Sequence, residues 1–135
     1  MATFTAARAQ ANITPRALEK AVFCEVTTYT FLGTETAASI INMAKIATPN
    51  NVIGIDMYGT TNTASLTLAV ADTTAGNTWI PATAATTAAK TSSIIPPKAY
   101  AANDVIKVTT AGATATAGAT VTLVIWMTQD NITLS

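Results

Sequence analysis

The sequence contains no histidine and a single cysteine, Cys24. Without histidine, a serine or cysteine triad of the ordinary kind has no general base. The two shortages together exclude most zinc sites, which are built from thiolates and imidazoles. A lone thiol cannot form an internal disulfide, and Cys24 lies in a strand-like run, AVFCEVTTYTF, where it is expected to be buried and inert. Charge is scarce as well: 10% of residues are charged, and seven basic residues balance seven acidic ones. A neutral chain has no electrostatic case for binding nucleic acid or an acidic membrane surface. The strongly apolar run Val121–Met127 is broken by Thr122 and is far too short to span a bilayer. The start, MATFTAARAQ, lacks the apolar core of a signal peptide, so synthesis in a cytoplasm is expected.

Catalytic motifs are missing too. There is no G-x-S-x-G elbow and no phosphate-binding glycine loop. Asp56, Asp72, Asp104 and Asp130 are scattered singly, without the Asp-rich loop that calcium needs. A hydrolase would need two carboxylates, for instance Asp56 and Asp72, to meet across a cleft. A sugar-binding module would need Tyr29, Phe31, Tyr58, Trp79, Tyr100 and Trp126 to gather on one exposed face, and they do not cluster in sequence. The acids read as turn and strand-end residues, so the expectation is a protein that is not an enzyme and uses no cofactor or metal.

What the chain does have is alanine and threonine, 28 residues of each in a total of 135. Alanine buries little area and threonine suits a pleated, half-exposed surface, so the core must come from the remaining aliphatics. These alternate with period two, the signature of half-buried strands. In Val52–Ala71, Ile53, Ile55 and Met57 share one face, and Leu66, Leu68 and Val70 share another. The polar stretch Gly59–Thr63 between them predicts an antiparallel hairpin. Ala21–Phe31 and Asp104–Thr110 predict further strands, and Thr91–Ile95 predicts a short one ended by Pro96 and Pro97. Thr78–Ile80 fits a short strand before Pro81, and Ala82–Lys90 a surface loop or weak edge strand. Glu35–Ile46 fits either period, and its strand-rich surroundings favour strand over helix, with Ile40, Asn42, Ala44 and Ile46 on one face and Ile41, Met43 and Lys45 on the other. Thr120–Thr128 is apolar on both faces: Val121, Leu123, Ile125 and Met127 on one, Val124 and Trp126 on the other. A sheet in a sandwich has one core side, so Val124 and Trp126 mark a face that a neighbour covers, in an oligomer.

Residues 1–20 differ from the rest. Arg8, Arg16 and Lys20 stand against Glu19 alone, and Thr14-Pro15 could cap a short helix through Lys20. The segment is either a frayed terminus or an arm whose basic residues grip a neighbour. The organisation expected is an arm at 1–20 and an all-β domain at 21–135, an antiparallel, jelly-roll-like β-sandwich of about seven to eight strands.

From Tyr29 onward the order of segments resembles small phage virion proteins that decorate or cement the capsid. It runs TYTF, ETAAS, INMAKI, TPNN, VIGIDMY, a polar turn, ASLTLAVAD, a variable Ala/Thr loop, DVIKVTT and TVTLVIWMT. Where that family approaches its third strand through an acid, a small residue, Gly and Asp, this chain has Ala38-Ser39. The resemblance implies a sandwich or jelly roll, often trimeric, seated on the outer capsid surface with the major capsid protein as partner. Other virion parts of similar build, such as a head fibre base, neck or tail protein, fit the same pattern.

Overall fold

A computed structural model describes residues 22–48 and 50–129, and these fold into nine strands without a helix. The strands are β1 (Val22–Thr30), β2 (Ile40–Ile46), β3 (Asn50–Gly59), β4 (Thr67–Asp72), β5 (Thr78–Ala84), β6 (Ala89–Ser92), β7 (Lys98–Ala99), β8 (Asp104–Ala111) and β9 (Thr120–Gln129). The expected arm, with Arg8, Arg16 and Lys20, lies outside the described residues.

Two antiparallel sheets face each other. Sheet A has the order β1-β9-β3-β6, with the two-residue β7 also paired to β3; sheet B has the order β2-β8-β4-β5. Apart from β7, the pairing is nested: β1 with β9, β2 with β8, β3 with β6 and β4 with β5. A long two-stranded ribbon rolled onto itself gives this pattern, and the β3–β9 and β4–β8 ladders close each sheet. The topology is that of a double-sheet jelly roll. Period-two alternation fills the space between the sheets. Leu66, Leu68 and Val70, then Ile106 and Val108, then Val121, Leu123, Ile125 and Met127 are all buried in one cluster.

The expected hairpin at Val52–Ala71 does not form. β3 belongs to sheet A and β4 to sheet B, and residues 60–66 cross between them. Both edges of β3 are already taken, one by β9 and the other by β6 and β7, so β4 has no edge to join. Asn62 pins the crossing: its N–H donates to the Ala85 carbonyl, and its Oδ1 accepts from the N–H groups of Thr63 and Thr116.

Two bulges correct the expected faces. The β3–β9 register shifts between Val52 and Gly54, so Val52 points inward with Ile55 and Met57 while Ile53 is only half-buried. The β2–β8 register shifts between Asn42 and Ala44, which buries Ile41, Ala44 and Ile46 and turns Ile40, Asn42 and Lys45 outward. An inserted residue reverses the alternation beyond it. The strand choice for Glu35–Ile46 holds from Ile40 onward, and residues 35–39 form the loop. Ala38, in the place where the resembled family carries glycine, has φ of 68°, a left-handed conformation that glycine adopts most easily. β5 runs through Pro81 to Ala84, which sheet B tolerates because β5 is its edge strand. The short strand expected at Thr91–Ile95 instead runs from Ala89 to Ser92.

Candidate functional site

The buried acids are structural. Glu35 sits beneath the loop after β1, where both its oxygens accept from the Leu32 N–H and Oε2 also accepts from the Gly33 N–H. The Tyr29 hydroxyl donates to Oε1 at 2.6 Å. Burial pushes the Glu35 carboxyl up, but these donors outweigh it and hold it down at about 2, against an ordinary 4.5. Asp104 does the same work at the opposite end, accepting from the N–H groups of Thr73, Thr74, Ala75 and Val105. Burial opposes its ionisation, and the backbone donors still lower its carboxyl below the ordinary value. Asp72 accepts from the Asn77 N–H, the Asn77 amide and the Tyr100 hydroxyl, which in turn accepts from Trp79 Nε1. Desolvation, reinforced by Asp72, pushes the Tyr100 phenol well up.

Asp56 and Asp72, the pair a hydrolase would need, stand on different sheets. Asp56 is on the outer face of sheet A, and Asp72 continues the buried inner face of β4, so the core separates them. Among the described residues no three metal-ligating side chains converge.

The large exposed side chains are the more informative set. On the outer face of sheet A, paired residues across β1, β9, β3 and β6 form rows: Val26, Val124, Asp56, Ser92; then Thr28, Thr122, Tyr58, Lys90; then Cys24, Trp126, Gly54. Val22 (61% exposed), Val26 (60%), Tyr58 (43%) and Trp126 (40%) all lie on this face. Cys24 is therefore exposed, not buried as its strand-like run suggested. β1 is an edge strand, and both of its faces near Val22–Val26 reach solvent. Glu25 points toward the sandwich interior from that edge and, with Asn42, Met43 and Lys45, lines an open groove of about 440 Å³. An inward charge on an edge strand discourages uncontrolled strand pairing.

Asp56 ties this face together. Trp126 Nε1 donates to its Oδ2 at 3.2 Å and the Ser92 hydroxyl to its Oδ1 at 2.8 Å. Lys90 Nζ is 3.9 Å from Oδ2 and 5.8 Å from the centre of the Tyr58 ring. Of the site residues expected from sequence, Val124 and Trp126 are thus on one surface, as their alternation required. Tyr58, Asp56, Lys90 and Ser92 were not foreseen there, because only the β3–β9 and β3–β6 registers bring them onto the same face as Val124 and Trp126. Trp79, Tyr100 and Phe31 are buried and take no part.

No family model and no curated protein matches the sequence. The fold, in contrast, is that of chains found in phage capsids. A chain of the cyanophage Pam1 capsid asymmetric unit superposes with a TM-score of 0.72 at 16% identity, over 96% of this chain and 100% of that one. A chain of the Ralstonia phage GP4 capsid gives 0.67 at 16% identity, over 88% and 92%. The acidic stable capsid of Helicobacter pylori bacteriophage KHP30 contributes a chain at 0.56 and 13% identity, over 81% and 91%. At these identities the likeness is one of fold, and the fold is the one the sequence resemblance implied.

Proposed function

We propose that this chain is a structural virion protein, a decoration or cement subunit that sits on the outer surface of a phage capsid and stabilises it. The observation that carries this reading is the fold match to capsid chains over their full or nearly full length. The dispersal of the acids supports a role without catalysis, because each buried carboxylate is committed to backbone N–H groups or a turn. Such a subunit works by surface contact with the major capsid protein and with its own copies, and needs no cofactor, nucleic acid or membrane.

In this reading the subunit is a homotrimer. Val124 and the β1-side edge of Trp126, with Val22 and Val26 beside them, supply the apolar strip that a neighbouring copy covers, and the β3 side of the indole stays outside that strip. Arg8, Arg16 and Lys20 attach the arm to an acidic capsid surface, so attachment weakens as salt rises. Electron microscopy of the virion tests the reading: density for this chain on the outer capsid surface is expected, and its placement in the neck, tail or a head fibre would replace decoration with that role. A truncation starting at Ala21 should keep its thermal midpoint and lose capsid occupancy; unchanged occupancy would remove the arm from the account. Light scattering on the free protein should give a trimer, and a monomer at micromolar concentration would remove that part.

A further inference from the structure

Trp126 lies at a boundary on the outer face of sheet A. Its β1 neighbour is Cys24, next to the apolar Val22 and Val26, and its β3 neighbour is Gly54, which has no side chain. With no side chain at Gly54 in the way, the indole reaches toward β3, where Nε1 donates to Asp56, the carboxylate that also holds Ser92 and lies 3.9 Å from Lys90. We propose that this half of the face is a saccharide subsite, in which the indole of Trp126 takes the apolar face of a neutral pyranose and Asp56, Ser92 and Lys90 bind its hydroxyls.

The hydrogen-bonding capacity left over supports this chemistry. A carboxylate offers about four acceptor positions. Trp126 and Ser92 occupy one position each on Asp56, Lys90 stands at the looser 3.9 Å, and the carboxylate side chain remains 20% exposed. The Ser92 oxygen, having donated its proton, can still accept, and the Lys90 ammonium has donors to spare. An acceptor, a hydroxyl and a cation side by side match the alternating donors and acceptors of vicinal diols. Asp56 and Lys90 cancel in charge, so the site favours an uncharged ligand. The bond from Nε1 to Asp56 holds the indole toward β3, and the whole group stands on adjacent strands of one sheet, which reduces the ordering left for the ligand to impose. An aromatic surface bordered by a few convergent polar groups is the usual make-up of a small-ligand site. On a surface this open, affinity for one sugar unit should be weak, with a Kd on the order of 1 mM.

The test uses the free, full-length protein. Trp79 is fully buried and Trp126 is 40% exposed, so a change in tryptophan emission on adding a polar solute reports on Trp126. Lactose, maltotriose and chitotriose are the probes. At least one should give a saturable change. Asp56→Asn should weaken it about tenfold. Gly54→Val should abolish it by displacing the indole from its approach to Asp56; a Cβ at Gly54 itself meets only Ser93 Oγ, at an ordinary 3.5 Å. Val26→Ser, on the β1 side, should leave binding unchanged. No saturable response up to ~50 mM of any probe would overturn the site, as would a response that survives Gly54→Val. Protection of Trp126 from acrylamide without any sugar response would also overturn it, by giving the whole face to a neighbouring protein. None of these readouts involves the capsid, so they are separate from those that test the virion role.

Discussion

The outer faces of the two sheets were built under the same rule and carry different cargo. Each is the reverse side of strands whose inner residues fill one core. On sheet B that reverse side holds Thr67, Ala69 and Ala71 from β4, Thr109, Lys107 and Val105 from β8, and Asn42, Lys45 and the exposed Ile40 from β2. On sheet A it holds Trp126, Val124, Tyr58, Val26 and Val22, with Asp56, Ser92 and Lys90 bonded among them. Folding needs only the inner faces, so it does not explain the difference. The larger side chains of sheet A, several of them bonded to one another, are the basis on which we propose that face as the contact surface; sheet B offers mainly small residues and lysines beside Ile40.

The largest effects should ignore this difference. Leu68 on sheet B and Leu123 on sheet A are both fully buried, and changing either to alanine should cost roughly 2–5 kcal/mol in denaturant unfolding. A cost confined to one sheet would mean that the two do not share one cooperative core.

Next comes Glu35, which serves the loop end of the fold and neither face. Glu35→Gln should cost about 1–3 kcal/mol at neutral pH by leaving buried donors poorly paired. Because its carboxyl is held at about 2, below the ordinary 4.5, its contribution is fully present above 4.5 and lost as pH falls toward 2. Thermal midpoints followed from pH 5 to pH 2 should therefore fall less in the variant than in the parent. Parallel curves would remove Glu35 from the account of acid stability.

The comparison itself is sharpened by a matched pair. Val26 on sheet A and Ile40 on sheet B are each 60% exposed on an edge strand. Serine at either position should change stability by no more than about 0.5 kcal/mol. Only Val26→Ser should weaken self-association measured by light scattering, and equal loss from both would erase the distinction between the faces. A further effect, set by two opposed terms, is expected at Ala38. Ala38→Gly relieves a left-handed alanine, worth about 1–2 kcal/mol, but adds about 0.4–1 kcal/mol of unfolded-chain entropy. A slight rise in thermal midpoint should result, and a fall would show that the loop holds Ala38 without strain.

These residues also show what the sequence could and could not disclose. The inner faces of β4, β8 and β9 were legible, because Leu68, Ile106 and Leu123 sit in uninterrupted alternation. The bulges near Ile53 and Met43 were not, because an inserted residue leaves no mark in a list of apolar positions. The β3–β4 hairpin was misjudged for a different reason: alternation says that a strand has a buried face, never which sheet it joins. Cys24 was misplaced because a strand-like run looks the same on an edge strand as in the middle of a sheet. The Val124–Trp126 face was visible as a second apolar side, while its polar half depended on Asp56, Lys90 and Ser92, which come together only through long-range register.

The central claim is that the outer face of sheet A is the working surface. Hydroxyl-radical footprinting of the chain, free and bound to capsids, tests it most directly. Val22, Val26 and Val124 should be protected in the free trimer and remain so on the capsid, while Ile40 stays reactive in both. Protection of Ile40 with full reactivity at Val22 and Val26 would place the working surface on sheet B and contradict the account.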